Sequence, residues 1–354
     1  MSDGTAASAA AGTGPEAGPE AAPGSRPSGT VVTVTPNPSL DRTYEIAGLS
    51  RGAVLRAGTD RVDPGGKGVN VSRALAAAGR STVAVLPLGG PEGALLAQLL
   101  SRRGIEVAGV PVHESTRVNI SLAEPDGSLT KINAAGPEIT ADEAEALLEA
   151  VGDRAAGAGA AWIVCSGSLP RGLPPAWYAG LVARAREQGI RIAVDASGPA
   201  LSAALRERPD LVKPNAVELA EAVGRPLATV SDAVKAAEDL LNAGAGAVLA
   251  SLGATGQLLV DGAGMCFGST PAVSVRSDVG AGDASLAGFL AAGGAGPRAL
   301  TAAVAHGLAA VQLPGSEMPH PADLRPDDVT VTTEPPLDHP LGRPLPDSAD
   351  GAVP

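Results

Sequence analysis

Residues 161–195 read AWIVCSGSLPRGLPPAWYAGLVARAREQGIRIAVD. Ala161–Ser166 is a short, unbroken apolar run, the pattern of a strand in a sheet covered on both faces. Pro174–Gln188 follows with a helical pattern. Its Pro174–Pro175 start costs nothing, because the first amides of a helix have no intrahelical partner. Arg191–Asp195 then returns as a second strand. Strand, helix and strand in succession predict parallel pairing through a crossover. The same alternation continues outward in both directions. Strands are predicted at Thr30–Thr35, Thr82–Pro87, Leu211–Lys213 and Ala247–Leu252. Helices are predicted at Val69–Ala78, Gly93–Arg103, Ala141–Val151, Val230–Asn242 and Ala281–Ala292. The expected fold class is α/β: a doubly wound, mostly parallel sheet with helices on both faces.

Two stretches break this rhythm. Residues 42–61 and 116–134 alternate polar and apolar positions, as in Arg117-Val-Asn-Ile-Ser-Leu122, with a turn at Pro125-Asp126-Gly127. They read as strands of a small antiparallel sheet, a lid over the main one or a pair of plain surface hairpins. Residues 1–29 alternate Ala, Gly, Pro and Ser and offer little to bury, so a disordered tail is expected. The Pro-rich, acidic stretch 315–354 reads the same way. One domain over 30–314 is the economical division.

The net charge of −12 sits mostly in those ends: −2 in residues 1–29, −6 in 315–354 and −4 in the body. A nucleic-acid partner is excluded, since phosphate backbones are held by excess Lys and Arg. Aromatic residues, at 2%, are also too few for base stacking. The core must come from Ala, Val, Leu and Ile. No apolar run approaches the length of a membrane span, and the N-terminal stretch lacks the basic start and apolar core of a secretory signal. Cys165 and Cys266 each lie in apolar runs and read as reduced thiols. A cytoplasmic protein is expected.

The chemistry concentrates in Val279-Gly-Ala-Gly-Asp283, which opens the helix Ala281–Ala292. Free amides at a helix start, with the helix dipole behind them, form an anion site. Gly280 and Gly282 admit a phosphate close to the backbone. Asp283 in that first turn is either a plain helix-start carboxylate or a base beside a bound phosphoryl group. The second role would supply both parts that phosphoryl transfer needs. Pro64-Gly-Gly-Lys-Gly-Val-Asn70 is a second Gly-rich helix start but not a Walker loop, since Gly68 stands where Ser or Thr would follow the lysine. Lys213-Pro-Asn-Ala-Val-Glu218 places Asn215 and Glu218 as a capping box, or as ligands to the water shell of a magnesium ion. Asn37-Pro-Ser-Leu-Asp41, Ser166-Gly-Ser168 and Ser251-Leu-Gly253 also follow strands. In an open parallel sheet all these segments collect along the carboxyl edge, where ligands bind.

Taken in order, these segments resemble the PfkB carbohydrate kinase family of the ribokinase superfamily over about residues 30–314. Gly65–Gly79 is similar to its first signature and Asp278–Phe289 to its second. Asn37–Asp41, Thr116–Asn119 and Ser166–Pro170 are most similar to its phosphohexose branch. Three positions depart from the pattern: Ala284 and Ser285 follow the aspartate, and Asp278 stands where the branch has Thr.

The resemblance implies a ribokinase-like fold with a β lid that pairs with a second subunit, hence a homodimer. It implies ATP and Mg2+, and transfer of the γ-phosphoryl to a ketohexose phosphate. Fructose 1-phosphate giving fructose 1,6-bisphosphate is the first expectation, with tagatose 6-phosphate or fructose 6-phosphate as alternatives. By the same resemblance Asp283 is the base and Gly280, Ala281 and Gly282 are the anion hole. Asp41 binds sugar hydroxyls, with Gly65, Gly66, Lys67, Asn70, Arg117 and Ser168 around the sugar phosphate. Lys213, Asn215, Ser251, Gly253 and Gly256 face the nucleotide, and Glu218 serves the metal. A kinase for unphosphorylated sugars is disfavoured by the two cations Lys67 and Arg117. A catalytically idle sugar-phosphate sensor would need no base.

Overall fold

The computed structural model describes Met1 and residues 29–342. The chain begins with β1 (Val31–Val34), β2 (Ser39–Glu45), β3 (Thr59–Gly65), α1 (Lys67–Ala77), β4 (Thr82–Leu88), α2 (Gly90–Ser101) and β5 (Glu106–Pro111). It continues with β6 (Arg117–Ala123), β7 (Leu129–Ile132), α3 (Ala141–Gly157), β8 (Trp162–Ser166), α4 (Trp177–Glu187), β9 (Arg191–Asp195) and α5 (Gly198–Arg206). After β10 (Leu211–Val212) come α6 (Ala216–Val223), α7 (Val230–Asn242), β11 (Ala247–Ser251), β12 (Gln257–Asp261) and β13 (Gly264–Ser269). The last elements are α8 (Ala281–Ala291), α9 (Gly296–Val311) and β14 (Thr330–Thr332).

The main sheet has ten strands in the order β14-β13-β12-β11-β10-β9-β8-β1-β4-β5. From β5 to β11 every neighbouring pair is parallel, and β12, β13 and β14 add an antiparallel edge. Side-chain alternation in the strands sorts the core into two layers. Val83 and Val85 of β4 join a cluster with α3, α4, α5 and α7, while Ala84 and Leu86 face α1 and α2. The short apolar residues foreseen in the sequence fill both layers, and α8 and α9 pack on the second with their Ala-rich faces. The chain leaves β1 toward β4 and leaves β8 toward β9. Adjacent strands with diverging connections open a crevice at their carboxyl ends, and that switch point locates the site.

The second sheet has four strands in the order β3-β2-β6-β7. Its outer pairs are antiparallel as expected, but the central pair β2/β6 is parallel, with Asp41 opposite Asn119. The turn at Pro125–Gly127 fixes only the β6/β7 hairpin. β2 and β6 are far apart in the chain, and both leave the main sheet in the same direction.

The α4 helix starts at Trp177, not at Pro174. The Trp177 amide donates to the Pro174 carbonyl at 2.9 Å, so the two prolines form the turn before the helix. The tail expected from residue 315 differs more. Residues 315–342 dock on the domain: β14 pairs with β13, Met318 is buried, and Leu341 packs on the core. The first two amides of α7 find acceptors there, Val230 on His339 O at 3.0 Å and Ser231 on Leu337 O at 2.8 Å. Isolated apolar residues carry no period, so their docking is invisible to a pattern search, and the prolines suit an extended edge. Residues 2–28 and 343–354, the rest of the expected tails, lie outside the described residues.

Candidate active site

An open cleft of about 570 Å³ lies between the lid sheet and the carboxyl ends of β1, β8 and β9. Its lid wall is built by β2 and β6. In a strand, alternate residues share a face, which turns Ser39, Asp41, Arg117 and Asn119 toward the cleft together. Asp41 Oδ1 accepts from Ser39 Oγ at 2.8 Å and from Asn119 Nδ2 at 2.9 Å, which fixes the carboxylate. Gly65 lies directly beneath it, and a Cβ there would overlap the Asp41 carboxylate. Arg117 donates to Ala134 O and Asn37 O, both at 2.9 Å. Burial pulls its guanidinium below the usual arginine value, with the Asp41 charge opposing. Ser168 comes in from β8 and accepts from Asn37 Nδ2 at 3.4 Å.

The floor comes from helix starts. Gly66 at φ 114° ends β3 and turns the chain into α1, a conformation that excludes other residues. The first turn of α1 then delivers Lys67 and Asn70. Lys67 Nζ donates to Asp195 Oδ1 at 2.9 Å and to Glu218 Oε1 at 3.2 Å. On the other side, Lys213 Nζ lies 3.2 Å from Asp195 Oδ2, an ion-pair contact without hydrogen-bond direction. Asp195 is fully buried between the two ammonium groups. Burial alone would raise its pKa, but Lys213 and Lys67 hold it below the ordinary carboxylate value. Burial likewise works against the Lys67 ammonium, and the charges of Asp195 and Glu218 outweigh it and raise its pKa.

Gly280 caps α8 in the left-handed region at φ 80°, so the amides of Gly282 and Asp283 have no carbonyl behind them. Lys213 Nζ sits 3.1 Å from where a Cβ of Gly282 would be, beside those amides. Asp283 is 6% exposed. Its Oδ2 accepts from Asn70 Nδ2 at 2.9 Å. Burial, helped by the Asp195 charge, pushes its pKa up to about 6, against the pull of Lys213, the Asn70 hydrogen bond and Lys67. A carboxyl group so placed is ionised near neutrality and still basic enough to take a proton.

The structure thus gathers Asp41, Gly66, Lys67, Asn70, Arg117, Ser168 and Glu218 along one cleft. Asp283 joins through Asn70, and Lys213 through Asp195. Asn215 and Ser251 pair as neighbours at the ends of β10 and β11, beside that cleft rather than in its wall. Gly253 opens the following turn at φ 62°. Gly256 faces β13 instead, where a Cβ would overlap Gly268 O. Glu218 completes the capping box with Asn215, its Oε2 accepting from the Asn215 amide at 2.9 Å. Among the described residues no cluster of three or more His, Cys, Asp or Glu could hold a metal by itself. The sequence motifs give no role to Asp195, and none to Ser39 and Asn119, which lie inside two of them. Asp195 carried a usable signal, a carboxylate ending an apolar strand on the ligand-binding edge.

The sequence signature described as pfkB family carbohydrate kinase matches residues 35–323. A 1-phosphofructokinase of Rhodobacter capsulatus is 38% identical over 317 residues, 87% of this chain and 99% of that protein. The ATP-dependent 6-phosphofructokinase isozyme 2 of Escherichia coli K12 is 38% identical over 259 residues, covering 72% of this chain and 83% of that one. Among solved structures, E. coli phosphofructokinase-2 in complex with potassium superposes with a TM-score of 0.78 at 35% identity, over 83% of this chain and 96% of that one. The architecture is the ribokinase-like α/β fold expected from the sequence.

Proposed function

The chain belongs to the pfkB family of carbohydrate kinases, and from that premise we propose that it transfers the γ-phosphoryl of ATP to a ketohexose phosphate. Fructose 1-phosphate, yielding fructose 1,6-bisphosphate, is the substrate we favour, in line with the activity named for the R. capsulatus relative. The observation that carries the reading is Asp283: a buried carboxyl, ionising at about 6, in the first turn of a helix that starts beside the Lys213 ammonium group.

In this reading Asp41, held by Ser39 and Asn119, orients the sugar hydroxyls, and Arg117 with Ser168 holds the phosphate already present. The remaining hydroxyl lies against Asp283. As its oxygen bonds to the γ-phosphorus, the proton passes to Asp283 and the bond to the bridging oxygen of ADP breaks. The charge on the transferred group meets the amides of Gly282 and Asp283, with Lys213 and Lys67 alongside. Lys67, tied to Asp195 and Glu218, serves the transferred group in this account and not only the sugar phosphate. Magnesium, when bound with ATP, supplies further charge neutralisation. Glu218 suits it through a water molecule, because its two oxygens already accept from Asn215 N and Lys67.

We also place the protein in the cytoplasm, with its two thiols free, and pair it as a homodimer through the lid. Support for the dimer comes from the lid face opposite Asp41, where Tyr44, Ile120 and Leu122 are half-buried and Ile132 is exposed. The test of the function is a coupled ADP-release assay over fructose 1-phosphate, fructose 6-phosphate, tagatose 6-phosphate and the free sugars. Turnover is expected on the phosphates, highest for fructose 1-phosphate. Preference for an unphosphorylated sugar would overturn the assignment.

A further inference from the structure

Arg73 is an arginine taken out of water with no ion-pair partner among the described residues. It lies on α1 one turn beyond Asn70 and is 7% exposed. Its Nη1 donates to Asn70 Oδ1 at 3.0 Å, to Pro64 O at 3.3 Å and to Ser316 Oγ at 3.3 Å. None of these acceptors carries a charge, so its burial is costly and its pKa is lowered by desolvation. An apolar side chain of the same length would fill this space more cheaply. What the guanidinium does there follows from donor and acceptor rules. A carboxamide has one end that accepts and one that donates. A guanidinium only donates and a carboxylate only accepts. Asn70 therefore has a single orientation, Oδ1 to Arg73 and Nδ2 to Asp283 Oδ2.

We propose that Arg73 is a positioning residue for phosphoryl transfer: it locks the Asn70 carboxamide, so that Asp283 presents one fixed oxygen to the acceptor hydroxyl. The lock is fastened from outside α1 as well. Ser316 reaches Arg73 from the segment after α9, and Met318 Cε of that segment lies 2.8 Å from where a Cβ of Gly280 would be. The proposal rests on the kinase reading for its consequence, since it assigns Asp283 the acceptor proton.

The experiment reads Asp283 in two ways, by the acid limb of kcat/KM and by titration of its ¹³C-labelled side-chain carboxyl, assigned with Asp283→Asn. The charged groups with the largest effect on Asp283 are Asp195, Lys213 and Lys67, and those with the largest effect on Arg73 are Arg103, Asp63, Asp41 and Arg61; all of these stay in place, and Arg73→Lys keeps the Arg73 charge as well. In Arg73→Met the Asn70 bond loosens, so both limb and titration are expected to move upward by about one pH unit. Turnover at neutral pH is expected to fall by about 10–100-fold, the range seen when an orienting outer partner is lost. Arg73→Lys keeps a charged donor, but its shorter, non-planar tip does not hold the Asn70 oxygen at the Nη1 position, so it is expected to shift in the same direction by less. If Arg73→Met does not fold, Arg73→Lys carries the test. An Asp283 titration unmoved in the folded variants overturns the proposal, whatever happens to stability. An inactive wild type would instead refute the kinase reading, and the carboxyl titration would still decide the role of Arg73.

Discussion

Replacing Asp283 by Asn should make the protein more stable while disabling it, and the gain should depend on pH. The pKa of Asp283 rises from the ordinary 3.8 to about 6 because its charge is poorly solvated in the folded state. That is about two powers of ten in proton affinity, or about 3 kcal/mol at 1.4 kcal/mol per tenfold. A carboxyl group with a raised folded-state pKa gives its full stabilisation below its unfolded value and loses it as pH rises through the folded value. The wild type thus carries the cost of the buried charge above pH 6, whereas an uncharged Asn at the same place, still accepting from Asn70, does not. The expected gain is about 3 kcal/mol at pH 8, shrinking to about 1 kcal/mol at pH 4.5. With a urea slope of about 3 kcal/mol per molar, the midpoint of Asp283→Asn should lie about 1 M above wild type at pH 8. Urea titrations of both proteins across this pH range measure it. A variant less stable than wild type at pH 8, or a gap that does not change with pH, would mean that Lys213 and Lys67 more than repay the burial.

Asp195→Asn leaves Lys67 and Lys213 facing each other without their shared anion and should destabilise the fold by about 3–5 kcal/mol. Because the folded-state pKa of Asp195 is depressed, its stabilisation is present above the unfolded value and lost as pH falls through the folded one. The deficit, followed by denaturation at several pH values, should therefore fade in acid. The acid limb of kcat/KM in this variant should also move below 6, since the Asp195 charge helps to raise Asp283. Arg117→Ala should weaken the sugar phosphate by about 2–4 kcal/mol while leaving the KM for ATP in place, as measured by steady-state kinetics over both substrates. Ending the chain after Thr332 removes the acceptors of Val230 and Ser231 and the Gly342 amide that donates to Thr255 Oγ1 at 2.9 Å. Hydrogen exchange at Val230 and Ser231 should accelerate, and the KM for ATP should rise more than that for the sugar if the Gly253–Gly256 turn, which holds Thr255, lines the nucleotide as the family resemblance implies.

Elements whose local pattern and tertiary role agree were legible in the residues. β9 and α7 occupy the predicted spans Arg191–Asp195 and Val230–Asn242, one an apolar Ile-Ala-Val run between two charged residues and the other a capped amphipathic helix. α9 was not, because Ala299–Ala310 is apolar on nearly every side and begins at Gly296-Pro297, which reads as a loop. The β12–β13 hairpin hides behind glycines at 256, 262, 264 and 268. In the cleft, Gly280, Gly282 and Asp283 announce a helix-start anion site because neighbours in sequence make it. Asp195 cannot be read that way: its partners lie 128 positions before it and 18 after it, and only the order of strands brings them together. The same holds for Arg73, which inside α1 is one more helical residue until Asn70 and Ser316 are seen at its tip.

The proposed transfer requires Asp283 to remove the proton from the acceptor hydroxyl. Its most direct test is single-turnover phosphorylation of fructose 1-phosphate by Asp283→Asn, with binding of the sugar phosphate and of ATP measured calorimetrically on the same preparation. The expected rate is lower by about 10²–10⁴, with both affinities within a few-fold of wild type. A phosphorylation rate within a few-fold of wild type would contradict it.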